Sequence, residues 1–324
     1  MAQSNVVRLP QANALSGSLE GAVSGFLSYC RSKNLADRTI EYYQMRLAAF
    51  VSWSERQKPD LTPAGITEQV ARDFITAEVE RVSASMGQHA FTALKAFLTF
   101  LYHEGFLDHH PMERMEKPRA PRKVIQTFSL EQVDSIIALC DPKTFIGCRD
   151  RAILFMLIDC GLRASELCGL EIDDIDWTGQ TVLVRHAKGS KERQVPFGLA
   201  ARQALSTYVC RRGDLASKTL FVTVYGEGFD HFRLRLIIMG RCEAAGIKGV
   251  RCSPHTLRHS MAVSYLRNGG DVFSLQKMLG HASLEMTRRY AELSQTDVQD
   301  KHRLYSPADR LASAKNTSGR KRLR

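Results

Sequence analysis

The chain has 324 residues, with 45 lysines and arginines against 34 aspartates and glutamates, a formal charge of +11 and a pI near 9.4. Its 44% hydrophobic content beside 24% charged residues belongs to a folded protein with a sizeable core, of a length that suits two domains. Wholesale disorder, collagen-like repeats and small disulfide scaffolds are excluded, and the surplus positive charge points to a polyanionic partner, either nucleic acid or an anionic membrane surface.

Residues 1–17 carry Asn, Gln, Ser, Gly and Pro without periodicity and read as a flexible end. Arg8 is the only basic residue before Leu19, so neither the charged start nor the apolar centre of a signal peptide can be marked out, and the expected location is the cytoplasm. Over 18–110 apolar residues recur at helical spacing: Val23, Phe26 and Leu27; Ile40, Tyr43 and Leu47; Val70, Phe74 and Ile75; Phe91, Leu94, Phe97, Leu98 and Leu101. The spacing predicts about four amphipathic helices and no strand. Segment 111–126 holds Pro111, Pro118 and Pro121 with five basic residues (Arg114, Lys117, Arg119, Arg122, Lys123) against Glu113 and Glu116, the composition of an interdomain linker.

The next helix is announced by Ser129, an N-cap followed by Glu131, Gln132 and the apolar Val133, Ile136 and Ile137. Another, from about Cys148 to Cys160, ends at Gly161, a residue suited to the left-handed position after a helix. Its most apolar part, Ala152 to Ile158, is far short of the roughly 20 apolar residues that cross a bilayer, and no membrane partner is expected. Thr181–Arg185 and Arg193–Phe197 predict a β-hairpin around Gly189, and helical pattern resumes after Leu199. The expected fold is mainly α with a small antiparallel β-sheet (α+β): a helical N-terminal bundle, a basic linker and a larger, mainly helical domain. The eight cysteines include no C-x-x-C pair and several fall in apolar helical patterns, so they read as small buried hydrophobes in a reducing compartment.

Four local patterns could carry chemistry. In Ser253-Pro254-His255-Thr256-Leu257-Arg258-His259 the serine caps a helix that opens on proline, with His255 and Arg258 three apart on one face. Such an end attracts anions, although the same cations also suit a solvated surface helix. In Gly161-Leu162-Arg163-Ala164-Ser165-Glu166-Leu167 the carboxylate three residues on can hold Arg163 for bidentate grip of a phosphate, or form an ordinary intrahelical pair. Lys188 lies in the hairpin turn, either projecting into a groove or serving as a soluble tip. Leu279-Gly280-His281-Ala282-Ser283 marks a helix end and a fresh N-cap, followed by Tyr290, one tyrosine among nine and open to a core or surface role as well as a nucleophilic one. His255 and His259 are four apart, a spacing that also suits a metal pair, but no third ligand is near in sequence.

Taken in order, Arg163, a hairpin lysine, His255-x-x-Arg258, Leu-Gly-His281 and Tyr290 resemble the tyrosine recombinase (phage integrase) family, especially its Xer-type and compact transposon members. The resemblance runs from about Ser18 to Ser306. It implies a core-binding, SAM-like DNA-binding domain over 18–110, a linker over 111–126, a catalytic domain over 127–306 and a basic tail over 307–324. It further implies a site-specific recombinase in which Tyr290 attacks the scissile phosphorus to form a 3′-phosphotyrosyl link. Arg163 and Arg258 would clamp the non-bridging oxygens, Lys188 would protonate the leaving 5′ oxygen, and His255 and His281 would assist. Glu166 would orient Arg163 and the catalytic histidine. Neither metal, ATP nor another cofactor is implied. The partner is double-stranded DNA with inverted-repeat core sites, bound on paired sites by a homotetramer, or by one shared with a second related recombinase, that works through a Holliday junction in the nucleoid.

For DNA contact the resemblance points to Thr39 and Tyr43 on one helix, His89 and Lys95 on another, and Arg119, Arg122 and Lys123 in the linker. The second of those helices, 83–95, lacks the arginines expected there and offers Gln88, His89 and Lys95. Residues 1–110 carry 10 basic against 11 acidic residues, and 111–324 carry 35 against 23, so the whole excess lies in the linker and the second region. Competing expectations are a type IB topoisomerase-like nicking-closing enzyme, a DNA-binding accessory protein without catalysis, and a metal-dependent transposase.

Overall fold

The computed structural model describes residues 17–121, 126–185, 192–281, 283–294, 302 and 306–309. The chain divides into two compact units, Met1–Lys123 and Val124–Arg324.

Among its described residues the first unit has four α-helices: α1 (Leu19–Ser32), α2 (Asp37–Gln57), α3 (Glu68–Arg81) and α4 (Ala84–His103). Hydroxyl caps start three of them, with Ser18, Thr67 and Ser83 accepting from the backbone N–H groups of Gly21, Val70 and Met86. The recurrent apolar residues converge on one core in which Phe26 meets Phe97 edge-on at 5.8 Å and Phe50 meets Phe74 at 5.0 Å. A side chain at Gly87 would run into Val79, so this glycine lets α3 and α4 approach closely. The start of the predicted linker belongs to this unit: Met112 and Met115 are buried in its core, and Gln88 donates to the carbonyl of Pro118 at 2.7 Å.

In the second unit α5 (Leu130–Ala138) opens on a reciprocal cap between Ser129 and Gln132. The central element is α6 (Phe145–Cys160), apolar on nearly every side because α8 (Leu199–Arg212) and α10 (Pro254–Arg267) both pack against it. Between α6 and α8 lie the short α7 (Ala164–Cys168) and an antiparallel sheet in the order β1 (Ile175–Asp176), β2 (Thr181–Val184), β3 (Arg193–Pro196). Val182 pairs with Val195 and both are buried, which fixes the register. The two-residue β1 is too short to leave a periodic signal. α9 (His231–Ala244) precedes α10, and α11 (Val272–Leu279) and α12 (Leu284–Ser294) close the unit with α10 around Met261, Leu266, Leu275 and Leu279.

Cys30, Cys140, Cys148, Cys160 and Cys242 are buried and free, whereas Cys210 is exposed. Burial pushes the Cys140 and Cys160 thiols up, which suits packing better than reaction. Among the described residues no helix is long and apolar enough to cross a membrane.

Candidate active site

The last carbonyls of a helix have no intrahelical donor, and a left-handed glycine after them leaves those oxygens pointing outward. Gly280 takes this conformation after α11 (φ +62°) and Gly161 takes it after α6 (φ +61°). Arginines supply the missing donors. Three consecutive carbonyls at the end of α11 each accept from a different one: Met278 from Arg193 Nε at 2.8 Å, Leu279 from Arg258 Nη2 at 2.8 Å, and Gly280 from Arg163 Nη2 at 3.3 Å. Arg258 also donates through Nη1 to the Gly161 carbonyl at 2.5 Å. The negative end of each helix thus faces a cation.

Glu166 ties the cluster together. Its carboxylate accepts from the Arg163 backbone N–H at 2.8 Å and Nη1 at 2.7 Å, and from Arg193 Nη1 and Nη2 at 2.9 and 2.8 Å; Arg258 Nη1 lies 3.9 Å away. Burial alone would raise its pKa, but the hydrogen bonds from Arg193 and Arg163 outweigh that and hold the group at about 2. Burial, then Arg163, lowers the Arg258 guanidinium to about 10, so it remains a cation at neutral pH. Three arginines against one carboxylate leave the cluster with two net positive charges.

Arg258 also fixes a histidine. Its Nη2 lies 3.2 Å from His281 Nε2, and arginine can only donate, so that nitrogen is an acceptor and Nδ1 carries the hydrogen, donated to Thr287 Oγ1 at 2.9 Å. The His281 ring stacks on Tyr290, with centroids 6.1 Å apart and planes 16° from parallel. Tyr290, on α12, is only 4% exposed, and its hydroxyl lies 2.6 Å from His259 Nδ1. Burial raises the Tyr290 phenol above its usual value, opposed by Arg258, Arg163 and Arg289. Burial first and the surrounding cations next hold both His259 and His281 at about 4, so both are neutral at pH 7.

One buried cluster therefore contains two cations able to grip an oxyanion, a tyrosine hydroxyl and neutral imidazoles, the components of covalent phosphoryl transfer. Residues 126–297 match the phage integrase family, and residues 23–105 match the N-terminal SAM-like domain of phage integrases. The chain belongs to the phage integrase family. It is 33% identical over 276 residues to the tyrosine recombinase XerC of Myxococcus xanthus, covering 82% of this chain and 91% of that protein. To the tyrosine recombinase XerD of Listeria innocua serovar 6a it is 30% identical over 285 residues, covering 85% and 94%. The XerA recombinase structure shares 28% identity with a TM-score of 0.51, covering 88% of this chain and 98% of that one. The XerH recombinase bound to palindromic difH substrate shows the same fold at 19% identity, with a TM-score of 0.70 over 89% of this chain and 85% of that one. This phage integrase family member is thus a tyrosine-type site-specific DNA recombinase, and the topoisomerase-like and non-catalytic readings are not favoured.

Within this integrase, Arg163, Glu166, Arg258, His281 and Tyr290 come together as described, and His255 stands at their edge. Its residue surface is exposed, its ring centroid is 4.1 Å from that of His259, and its pKa is lowered by partial desolvation against the neighbouring protein and by Arg258, Arg251 and Arg163. Glu166 holds Arg163, as the resemblance implies, and its hydrogen bonds run to arginines; His281 is positioned by Arg258 and Thr287. Among the described residues no three His, Cys, Asp or Glu side chains are grouped to hold a metal ion. Lys188, Arg122 and Lys123 lie outside the described residues.

In the first unit Thr39 is half-buried on the first turn of α2, while the Tyr43 ring packs edge-on against Phe26 at 5.3 Å as part of the core. Its neighbour Tyr42 donates to the His89 carbonyl at 3.0 Å. Lys95 lies over the Phe91 ring at 5.5 Å and lines a surface cleft with Thr99, Tyr102 and His103, and Arg119 is exposed. Sequence reasoning missed Arg193, Thr287 and the contact made by His259. The alternation that placed Arg193 on a strand was a usable signal for its position, but nothing local marked its partner.

Proposed function

We propose that this recombinase cuts DNA by direct attack of Tyr290 Oη on the scissile phosphorus. The new O–P bond forms as the P–O5′ bond breaks, leaving a 3′-phosphotyrosyl link and a free 5′-hydroxyl, so the bond energy is conserved for rejoining. Arg163 and Arg258 clamp the non-bridging oxygens and offset charge in the pentacoordinate transition state, and Glu166 with Arg193 holds the first of them in place. Lys188 protonates the leaving 5′ oxygen, His255 hydrogen-bonds the phosphate from its exposed position, and His281 gives up its bond to Arg258 and shifts its hydrogen to Nε2 to donate to a non-bridging oxygen. The observation that carries this reading is the burial of the Tyr290 hydroxyl in the cluster held together by Arg258 and His281.

Attack by the 5′-hydroxyl of another strand reverses the step and exchanges strands, through a Holliday junction in a tetramer on paired inverted-repeat sites, in the cytoplasm at the nucleoid. The solved neighbours bound to palindromic difH and, as a dimer, to a core site support the DNA-site part of this reading. Thr39, His89, Lys95 and Arg119 contribute contacts from the first unit, with Arg122 and Lys123 adding salt-sensitive attraction to the phosphates.

The test is covalent capture. Nicked duplexes with a randomised core are incubated with the protein, adducts are trapped in detergent and their DNA is sequenced. The expected result is a recovered inverted-repeat consensus and adducts that resist EDTA and vanish in Tyr290→Phe while binding persists. Adducts that survive in Tyr290→Phe overturn the assignment and direct attention to Tyr305.

A further inference from the structure

Attack by a phenol requires that its proton go somewhere, and the Tyr290 hydroxyl has an imidazole nitrogen within hydrogen-bond reach. We propose that His259 is the proton acceptor for Tyr290: its Nδ1 takes the phenolic proton as Oη bonds to phosphorus, and returns that proton to Oη when the phosphotyrosyl bond is broken. The inference rests on Tyr290 being the nucleophile.

Geometry carries the argument. His259 Nδ1 stands 2.6 Å from Tyr290 Oη, within the reach that general base catalysis demands. The two residues come from α10 and α12, and both rings are held: Tyr290 stacks on His281, and His259 meets His255 edge-on at 4.1 Å. His259 also follows Arg258 directly, so one helix sets one arm of the phosphate clamp and the base. The neighbouring imidazoles are placed for other work. His281 has both ring nitrogens engaged, by Arg258 and Thr287, and His255 is exposed at the edge of the cluster.

Electrostatics is consistent with the same role. Burial, His255, Arg258 and His281 keep the His259 imidazole neutral, so a lone pair is free to accept at Nδ1 when the hydrogen is on Nε2. Those influences also weaken it as a base. A phosphate seated on Arg163 and Arg258 offsets their field, and His259 gains basicity at the moment the substrate docks. The step balances: Oη–P forms, P–O5′ breaks, the phenolic proton moves to His259 and the departing 5′ oxygen takes its proton from a separate acid, the role proposed above for Lys188. Rejoining runs these transfers backward.

The experiment uses the full chain and the duplex recovered by covalent capture, with His259→Ala and His259→Asn. Asparagine keeps a hydrogen-bond acceptor near the Nδ1 position but cannot take a proton. Both variants are expected to form adduct about a hundred-fold or more slowly than the parent. A 5′-bridging phosphorothiolate, whose sulfur leaves without protonation, should not rescue them, because the missing transfer is at tyrosine.

A second probe is a duplex whose 3′ end carries a p-nitrophenyl phosphate. Attack on it by a 5′-hydroxyl strand bypasses Tyr290 and releases an anion that needs no proton. Ligation from it should continue within a few-fold of the parent in both His259 variants and in Tyr290→Phe, and fail in Arg258→Ala. Parent-like adduct formation in either variant overturns the proposal, as does loss of p-nitrophenyl ligation in a variant with parental melting. If His259→Ala does not fold, the shape-conserving His259→Asn carries both measurements. Adduct in Tyr290→Phe instead overturns the nucleophile assignment, so the two failures are distinct.

Discussion

Arg193 spreads its guanidinium over two partners, donating both terminal nitrogens to the Glu166 carboxylate at 2.9 and 2.8 Å and Nε to the Met278 carbonyl at 2.8 Å. Among the described residues the carboxylate is the only anion paired with the three arginines of the cluster, and its side chain is 2% exposed. Glu166→Ala leaves three cations, the buried Arg258 among them, without a counter-ion and strips the Arg163 backbone N–H of its acceptor. Breaking a buried pair in this way costs about 3–5 kcal/mol. Urea denaturation should show a loss of that order, and Arg193→Met in the Glu166→Ala background should recover part of it because one uncompensated charge is gone. A loss below about 1 kcal/mol, the scale of an exposed pair, would mean that the carboxylate does not organise the cluster.

Gly280 is constrained twice. Its φ of +62° is one that side-chain-bearing residues rarely adopt, and a Cβ there would lie 2.9 Å from Arg193 Nη1. Gly246, with φ +66° and nothing within 4 Å of a Cβ, meets only the first constraint. Gly246→Ala should cost on the order of 1 kcal/mol through the backbone alone. Gly280→Ala should cost more and, because the three arginine-binding carbonyls move with it, should also slow adduct formation. Equal losses in stability and unchanged cleavage would show that the contact with Arg193 is slack.

Protonation separates the two halves of the cluster by pH. His259 and His281 sit at about 4 in the folded chain against an ordinary 6.5, so between those values the unfolded chain binds more protons and stability rises with pH. Glu166, held at about 2 against an ordinary 4.5, contributes stability that is present above 4.5 and lost as pH falls toward 2. Unfolding free energy should therefore decline from pH 6.5 to 4 through the histidines and decline again below 4.5 through Glu166. His259→Asn should remove its share of the first decline, leaving that of His281, and leave the second unchanged. A profile unchanged by that substitution would place the His259 titration elsewhere.

The catalytic strings were legible because each is also a local structural device. Gly161 and Gly280 end helices, Ser253 begins one, and the residues beside such ends are the ones whose side chains reach unpaired backbone groups. The four-helix character of the first unit followed from period alone. Arg193, Thr287 and the partner of His259 were not legible, since their roles arise across 27, 6 and 31 residues and depend on how α10, α12 and β3 converge. Tyr43 shows the converse: one helical spacing fits a core position and a DNA-facing one, and the half-buried ring packs against Phe26 without deciding between them.

The state of His281 can be read without substrate. Its Nε2 accepts from Arg258, so the neutral ring carries hydrogen on Nδ1, the less common tautomer in solution, and Thr287 Oγ1 is the acceptor that holds it. Nitrogen chemical shifts of the His281 ring should report a protonated Nδ1 at pH 7. Thr287→Val keeps the shape of a fully buried side chain but removes that acceptor, leaving a buried N–H unpaired at a cost of about 1–3 kcal/mol. The ring then gains by turning Nδ1 elsewhere, which releases Arg258 Nη2, so adduct formation should fall together with stability. A ring that keeps hydrogen on Nε2 in the parent would contradict the assignment, because Arg258 would then face a donor with a donor.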